Sequence, residues 1–193
     1  MFFNKNKQLL DTENKLSELQ RQLDSISRNV AEIRFRPDGS VIYASNIFLE
    51  MLGYKLEEIA GQHHRIFCEK NYANTADYSR FWQKLADGHL QSGLFRRLRK
   101  DGNLVLIEAT YIPVQNQDGK VIEIIKIGSD VTQRENELLS LRAVHAAISR
   151  SMAEIEFTPN GDILHANENF LRAMGYRLSD IKGLCQQVGQ QQD

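Results

Sequence analysis

An internal repeat constrains this 193-residue chain more than any other feature of its sequence. Residues 26–61 and 148–183 align without a gap at an offset of 122, and 17 of the 36 aligned positions are identical. Each copy reads as two short apolar strands joined by a Pro-x-Gly turn, followed by a helix that ends at a glycine. We therefore expect each copy to form the start of a folding unit of the same kind.

The first copy continues into a full domain. Residues 74–87 place aromatic and apolar side chains on one helical face, and strand-like segments follow at 93–99, 104–114 and 121–128. Asp-Gly turns separate those three segments, which is typical of consecutive hairpins. With the two strands of the repeat, this predicts an α+β fold over residues 29–132, a five-stranded antiparallel sheet with helices over one face.

The second copy continues differently. Nothing after Gly183 resembles residues 62–132, and the chain runs through a Gln-rich stretch to Asp193. We therefore expect residues 151–193 to hold a truncated second unit with an unrelated tail. Such a fragment lacks the three strands that would cover its apolar side.

A helix is predicted before each copy, over residues 1–28 and 133–150. The first carries apolar side chains at the spacing of a two-stranded coiled coil, interrupted only by Thr12. Its a and d positions are Leu9, Leu16, Leu19, Leu23, Ile26 and Val30. The second helix continues a similar stripe, with His145 as its weak point. Two interpretations stay open: a homodimer through these helices, or amphipathic helices that pack on their own domain.

Composition excludes several classes of protein. Lys and Arg number 24 against 25 Asp and Glu, so the basic excess of a nucleic-acid binder is missing. The basic run 96–100 ends a predicted strand, and we interpret it as a solvated sheet edge. The longest apolar runs are far too short to span a bilayer, so no membrane span is expected. With no signal-peptide pattern and only Cys68 and Cys185, a cytoplasmic location is predicted.

The sequence of the first domain resembles the PAS sensory domain. The residues that carry this resemblance cover 29–132 and, in part, 151–183. They are Asp38-Gly39, Tyr43-Ala44, Phe48, Gly53-Tyr54, Gly61, Lys100-Asp101-Gly102, Pro113, Asp118-Gly119 and Asp130-Val131-Thr132. More narrowly, residues 61–68 and 107–111 resemble the PAS units of soluble bacterial chemotaxis receptors of the methyl-accepting, aerotaxis and biofilm-dispersion type, which often carry two PAS units in tandem.

This resemblance implies a cytoplasmic sensory input module of a bacterial signal-transduction receptor. The first unit would sense redox state, oxygen or a small ligand and pass the signal on through helices. In this family the Asp130-Val131-Thr132 motif joins the last strand to the output helix. We predict that Thr132 caps that helix and that Asp130 and Thr132 transfer the signal. The alternative is a ligand-free PAS module that serves only dimerisation or interaction.

The resemblance also raises the question of a cofactor, and FAD is the first candidate. His63, His64 and Arg65 could donate hydrogen bonds and positive charge to it, and Phe67, Phe81 and Trp82 could wall a flat slot. The alternative is that the same rings are ordinary core residues around an empty or small-ligand pocket. Haem is less favoured, because the helix 74–87 contains no histidine.

Covalent flavin photochemistry is not expected, because the position that carries the reactive cysteine in light-sensing PAS units is His64 here. A metal ion is not expected either, because His64 and Cys68 alone do not complete a zinc site. No catalytic motif is present in the sequence, and we expect a protein that is not an enzyme.

Overall fold

The computed structural model describes residues 2–181, and the side chains of residues 10–177, 179 and 181. The chain divides into two compact units, with the boundary along the sequence between Gln133 and Arg134. The tail beyond residue 181, with Cys185, and the side chain of Leu9 lie outside the described residues. The division into segments 1–28, 29–132, 133–150 and 151–193 stays a prediction.

The first unit has the predicted α+β architecture. A five-stranded antiparallel sheet has the strand order β2-β1-β5-β4-β3, and four helices and a 3₁₀ turn lie between β2 and β3. In chain order the elements are α1 (Phe2–Asn29), β1 (Ala31–Phe35), β2 (Val41–Ala44), α2 (Asn46–Leu52), α3 (Leu56–Ile59), the 3₁₀ turn (His64–Phe67), α4 (Lys70–Ala73), α5 (Ala76–Ala86), β3 (Gln91–Leu98), β4 (Leu104–Gln115) and β5 (Val121–Asp130).

The core of this unit lies between the sheet and those helices. Alternating residues of each strand face it, as expected for a sheet with one covered side. The largest apolar side chains that are fully buried are Phe35, Phe48, Phe67, Ile33, Leu52, Ile59, Leu85, Ile107 and Ile124. Strands β4 and β5 approach closely at Gly128, where an added Cβ would lie 2.8 Å from the side chains of Ala109 and Ile107. Only glycine fits at that position.

Helix α1 presents its leucine stripe to solvent. Leu16, Leu19, Leu23 and Ile26 are all exposed, whereas Ser27 near the C-terminus of the helix is buried and lies within hydrogen-bond distance of Arg34. Within the described residues, the stripe therefore does not pack on its own domain. A homodimer through α1 stays a prediction. No helix within residues 2–181 is both long and apolar enough to cross a membrane.

The second unit repeats the start of the first. Helix α6 (Thr132–Ser151) leads into β6 (Ile155–Phe157), β7 (Ile163–Ala166), α7 (Glu168–Met174) and α8 (Leu178–Ile181). The two strands form a two-stranded antiparallel sheet. The αL residue Gly175 ends α7, just as Gly53 ends α2.

Candidate functional site

The site is built around the 3₁₀ turn. The Nδ1 atom of His63 accepts a hydrogen bond from the Arg65 backbone N–H at 3.2 Å, which caps this turn. The His64 backbone N–H donates to the Gly39 carbonyl at 2.8 Å, so the turn is fixed against the β1–β2 hairpin. Gly39 has a φ of +87°, and an added Cβ would lie 2.8 Å from the His63 ring. The turn therefore has a fixed place beside the sheet.

His64 lies at the centre of the domain and is fully buried. Its Nδ1 is 3.0 Å from the Tyr78 hydroxyl, and its Nε2 is 3.1 Å from the Tyr111 hydroxyl. Burial, and then the nearby charges of Arg97 and Lys126, lower the pKa of His64 well below its ordinary value. The ring is therefore neutral at pH 7, with one tyrosine on each nitrogen.

Two basic side chains flank this histidine in the interior. Arg97 of β3 donates from Nη1 to the Arg96 carbonyl at 2.7 Å and from Nη2 to the Tyr111 hydroxyl at 3.2 Å. Lys126 of β5 places Nζ 5.1 Å from the centre of the Tyr111 ring and 5.6 Å from that of Phe48. Both side chains are only 2% exposed. Among the described residues, no carboxylate forms an ion pair with either of them.

The two buried cations differ in how the interior shifts their pKa values. Burial and the neighbouring Arg97 guanidinium lower the pKa of Lys126 well below its ordinary value. Burial also disfavours the charged form of Arg97, but the Tyr111 hydroxyl, Cys68 and Tyr72 favour it, and the pKa of Arg97 is raised overall. Arg97 therefore carries the lasting positive charge of the interior.

Sequence reasoning missed these two residues, and the solvated sheet edge predicted for 96–100 is wrong at Arg97. Strand β3 is an edge strand, and Arg96 is exposed, but Arg97 points into the core because alternate residues of a strand face opposite sides. The signal for Lys126 was a single charge within the otherwise apolar stretch 124–128. Tyr78 and Tyr111 were missed because aromatic residues at inward positions are usually core.

Most of the predicted site residues lie together. Trp82 makes ring contacts with His63, His64 and Phe81, at centroid distances of 5.8, 5.2 and 6.0 Å. Phe67 also touches His64, at 6.1 Å. Arg65 is the exception, because its side chain is exposed outside the cluster and bends back to His63.

The predicted flavin site is filled by contacts among its own side chains. Trp82, predicted to wall a flat slot, is in direct contact with His64, predicted to donate a hydrogen bond to the flavin. Both ring nitrogens of His64 are already engaged by tyrosines, so a flavin that binds as predicted would have to displace these contacts. One feature suits a ligand with acceptor atoms, because the buried Trp82 Nε1 has no hydrogen-bond partner.

Polar contacts join the end of β5 to the start of α6, where the chain leaves the first domain. The Asp130 carboxylate accepts from the Thr132 backbone N–H at 2.9 Å and pairs with Arg99 at 2.5 Å. The Thr132 hydroxyl accepts from the Leu106 N–H of β4 at 2.9 Å. Thr132 is the first residue of α6, so the prediction that it caps this helix is wrong. Its hydroxyl instead ties the helix to the sheet, and Asp130 satisfies a free N–H of the first turn.

The sequence is similar to a known family and to known bacterial proteins. A family model described as the PAS fold matches residues 41–128. The chain is 38% identical over 157 residues to the biofilm dispersion protein BdlA of Pseudomonas aeruginosa, covering 81% of this chain and 38% of that protein. It is 26% identical over 95 residues to the aerotaxis receptor of Escherichia coli, covering 49% of this chain and 18% of that protein. The chain therefore spans well under half the length of these relatives.

Solved structures agree on the fold. An RNA-binding Light-Oxygen-Voltage receptor matches with a TM-score of 0.58 and 25% identity, covering 67% of this chain and 38% of that one. A Light-Oxygen-Voltage domain studied with a flavin analogue matches with a TM-score of 0.51 and 18% identity, over 67% of this chain and 96% of that one. The second likeness shows the fold alone.

Proposed function

Because this chain belongs to the PAS family through its first unit, we propose that it is the sensory input region of a chemotaxis-type signal-transduction receptor in the cytoplasm. The likeness to a biofilm dispersion protein and to an aerotaxis receptor supports this. The signal would be a redox change, oxygen or a small ligand that acts inside the domain. No catalytic role is proposed for any of its residues.

The observation that carries the proposal is a polar connection from the interior to the exit helix. Arg97 lies at the centre of the domain, and two residues further along the chain Arg99 pairs with Asp130. Asp130 in turn holds the first turn of α6 through Thr132. A rearrangement around Arg97 that moves the end of β3 would therefore change the hydrogen bonds that start α6.

A flavin is a second candidate for what the domain senses. The likeness to Light-Oxygen-Voltage proteins favours it, as does the unpartnered Trp82 Nε1. The closed contact between His64 and Trp82 opposes it. The absorption spectrum decides: after reconstitution with FAD and desalting, retained absorption near 450 nm supports this candidate, and a colourless protein overturns it.

A homodimer through α1 and α6 is part of the same proposal. The exposed apolar residues of α1 and the exposed Leu138, Leu141 and Ile148 of α6 are the surfaces that such a dimer would bury. The competing function is an interaction module whose interior carries no signal. The two functions differ in whether a change inside the domain reaches α6.

Hydrogen exchange in the full chain tests that difference. Lys126→Met removes the buried amine next to Arg97 and Tyr111 at nearly constant shape, and Lys120→Met, at an exposed turn, is the matched control. We expect altered exchange of the amides in the first two turns of α6 for Lys126→Met and none for Lys120→Met. Unchanged exchange in α6 for both variants would favour the interaction module and overturn the sensory role.

A further inference from the structure

The interior of the first unit lacks an anion. Proteins rarely bury Arg or Lys without a partner of opposite charge, because desolvation of a lone charge is costly. Here Arg97 and Lys126 are both buried, and no carboxylate of the described residues pairs with them. The Nε atom of Arg97 is buried and has no hydrogen-bond partner at all.

A groove in the surface has Arg97 in its lining. It has a volume of about 390 Å³ and lies between α4 and the edge strand β3, within the size range of small-molecule sites. Arg97 is the buried residue of its lining, and the centre of the Tyr72 ring lies 5.9 Å from the central carbon of the guanidinium. The remaining walls are Leu94, Phe95 and the Arg96–Glu69 ion pair.

We propose that this groove binds a small organic monocarboxylate with an apolar body. The carboxylate lies against Arg97, and the apolar body lies between Tyr72, Leu94 and Phe95. This inference rests on the proposed sensory function and names the chemical class of the ligand that the domain senses.

The chemistry of the lining selects this class. The Nε and Nη2 atoms of one guanidinium present two parallel N–H donors, a geometry that matches the two oxygens of a carboxylate. To engage both, the ligand would take Nη2 from the Tyr111 hydroxyl, which also contacts His64. Glu69 at the rim disfavours a second negative charge, so a monoanion fits better than phosphate. The aromatic and aliphatic walls favour an apolar body over a hydrophilic one.

Ligand binding at Arg97 would change the hydrogen bonds at the start of α6 through Arg99 and Asp130. A carboxylate that draws Nη2 away from Tyr111 shifts the end of β3, where Arg99 pairs with Asp130. Ligand occupancy and the start of α6 are then linked through Arg97.

The test is calorimetric titration of the full chain with benzoate and with hexanoate, with benzamide as a neutral control of the same shape as benzoate. We expect both carboxylates to bind and benzamide to bind at least tenfold more weakly. Arg97→Gln should weaken benzoate binding at least tenfold, whereas Arg80→Gln, which removes an exposed arginine of α5 outside the groove lining, should leave it within twofold.

A second variant covers the case in which Arg97→Gln fails to fold. Leu94 is half exposed, so Leu94→Trp fills the groove without disturbing the core, and it should also weaken benzoate binding tenfold. Absence of binding by both carboxylates, or binding that neither Arg97→Gln nor Leu94→Trp weakens, overturns the carboxylate site. That failure is separate from failure of the sensory role, which the exchange of α6 in Lys126→Met reports without any ligand.

Discussion

The two units share a local structure but not a core. In the first, the Ser45 hydroxyl accepts from two backbone N–H groups and donates to one carbonyl. In the second, Asn167 stands 122 residues later, and its side-chain amide accepts from the two equivalent N–H groups and donates to the equivalent carbonyl and to that of Ser149. The partners are Glu32, Phe48 and Val30 in the first unit and Glu154, Phe170 and Met152 in the second. Side-chain burial separates them, because Phe35 and Leu52 are fully buried whereas Phe157 and Met174 are 38% and 56% exposed.

This difference shows which part of the fold each stretch of sequence determines. Turn residues, helix caps and strand alternation are local, and they give the same hairpin and helix in both copies. Burial depends on β3, β4 and β5, which in the described part of the chain follow only the first copy. A copy without those strands keeps its hydrogen bonds and leaves its large apolar residues in partial contact with water.

The largest expected effect comes from equivalent phenylalanines in the two units. Phe35→Ala removes a buried ring that packs against Trp82 and His64, and should lower the free energy of unfolding of the first unit by about 3–5 kcal/mol. Phe157→Ala should cost less than about 1 kcal/mol. Urea unfolding followed by fluorescence of Trp82, the only tryptophan, measures the first unit, and far-UV circular dichroism of the same samples follows the unfolding of both units. A similar loss from both substitutions would contradict the contrast.

Much of the first unit could be predicted from its sequence. The Asp-Gly turns and the alternation in 104–114 and 121–128 indicate the hairpins, and the helical stripe of Phe81, Trp82 and Leu85 indicates α5. Five antiparallel strands with helices over one face are confirmed. Such signals are local, so they do not depend on knowing which strands become neighbours.

The interior cluster could not be predicted in the same way. His64 and Tyr111 are 47 residues apart in sequence and meet only because β4 lies at the centre of the sheet. Arg97 lies within a run of basic residues that is typical of a solvated edge. Thr132 looks like a helix cap, but its hydroxyl bonds Leu106, a contact across 26 residues.

The next largest expected effect on the free energy of unfolding comes from Lys126. This residue has no counterpart among the described residues of the second unit. In ligand-free protein, Lys126→Met should raise the free energy of unfolding by about 1–4 kcal/mol at pH 7, because it replaces a buried unpaired amine by an apolar chain. The depressed pKa of Lys126 means that the unfolded chain binds the extra proton, so wild-type stability rises with pH until the ordinary pKa of 10.5 is reached.

Urea titrations at pH 7 and pH 9 measure this slope. The free energy of unfolding of the Lys126→Met protein should rise less with pH than that of wild type, because the buried amine is gone. The Lys120→Met protein should show the same rise with pH as wild type. An identical pH slope in wild type and Lys126→Met would show that the amine is not desolvated in solution.

His64 should give a smaller pH dependence on the acid side. Its pKa is held well below the ordinary 6.5, so folding disfavours its protonation and stability falls as the pH drops below about 6.5. The expected slope is at most about 1.4 kcal/mol per pH unit for one group. Unfolding midpoints between pH 7 and pH 5 should show a shallower slope in His64→Gln than in wild type and in the exposed control His89→Gln. Equal slopes in all three would contradict the buried neutral histidine.

The smallest expected effect on stability comes from removing the N-cap residues of α2 and α7, which occupy equivalent positions in the two units. Ser45→Ala removes the N-cap of α2 and should destabilise the first unit by about 1 kcal/mol. Asn167→Ala removes the N-cap of α7 and should leave the unfolding of the first unit, followed by Trp82, unchanged. A shift of the Trp82 transition by Asn167→Ala would mean that the two units unfold together.

Hydrogen exchange along the full chain tests the central contrast most directly. Amides of β4 and β5 should exchange only through unfolding of the first unit, because their strands lie inside the five-stranded sheet. The amides of β6 and β7 should exchange orders of magnitude faster, since their two-stranded sheet lacks β3–β5 counterparts among the described residues. Comparable protection in the two sheets would contradict the account, because it would require a buried core around the second unit.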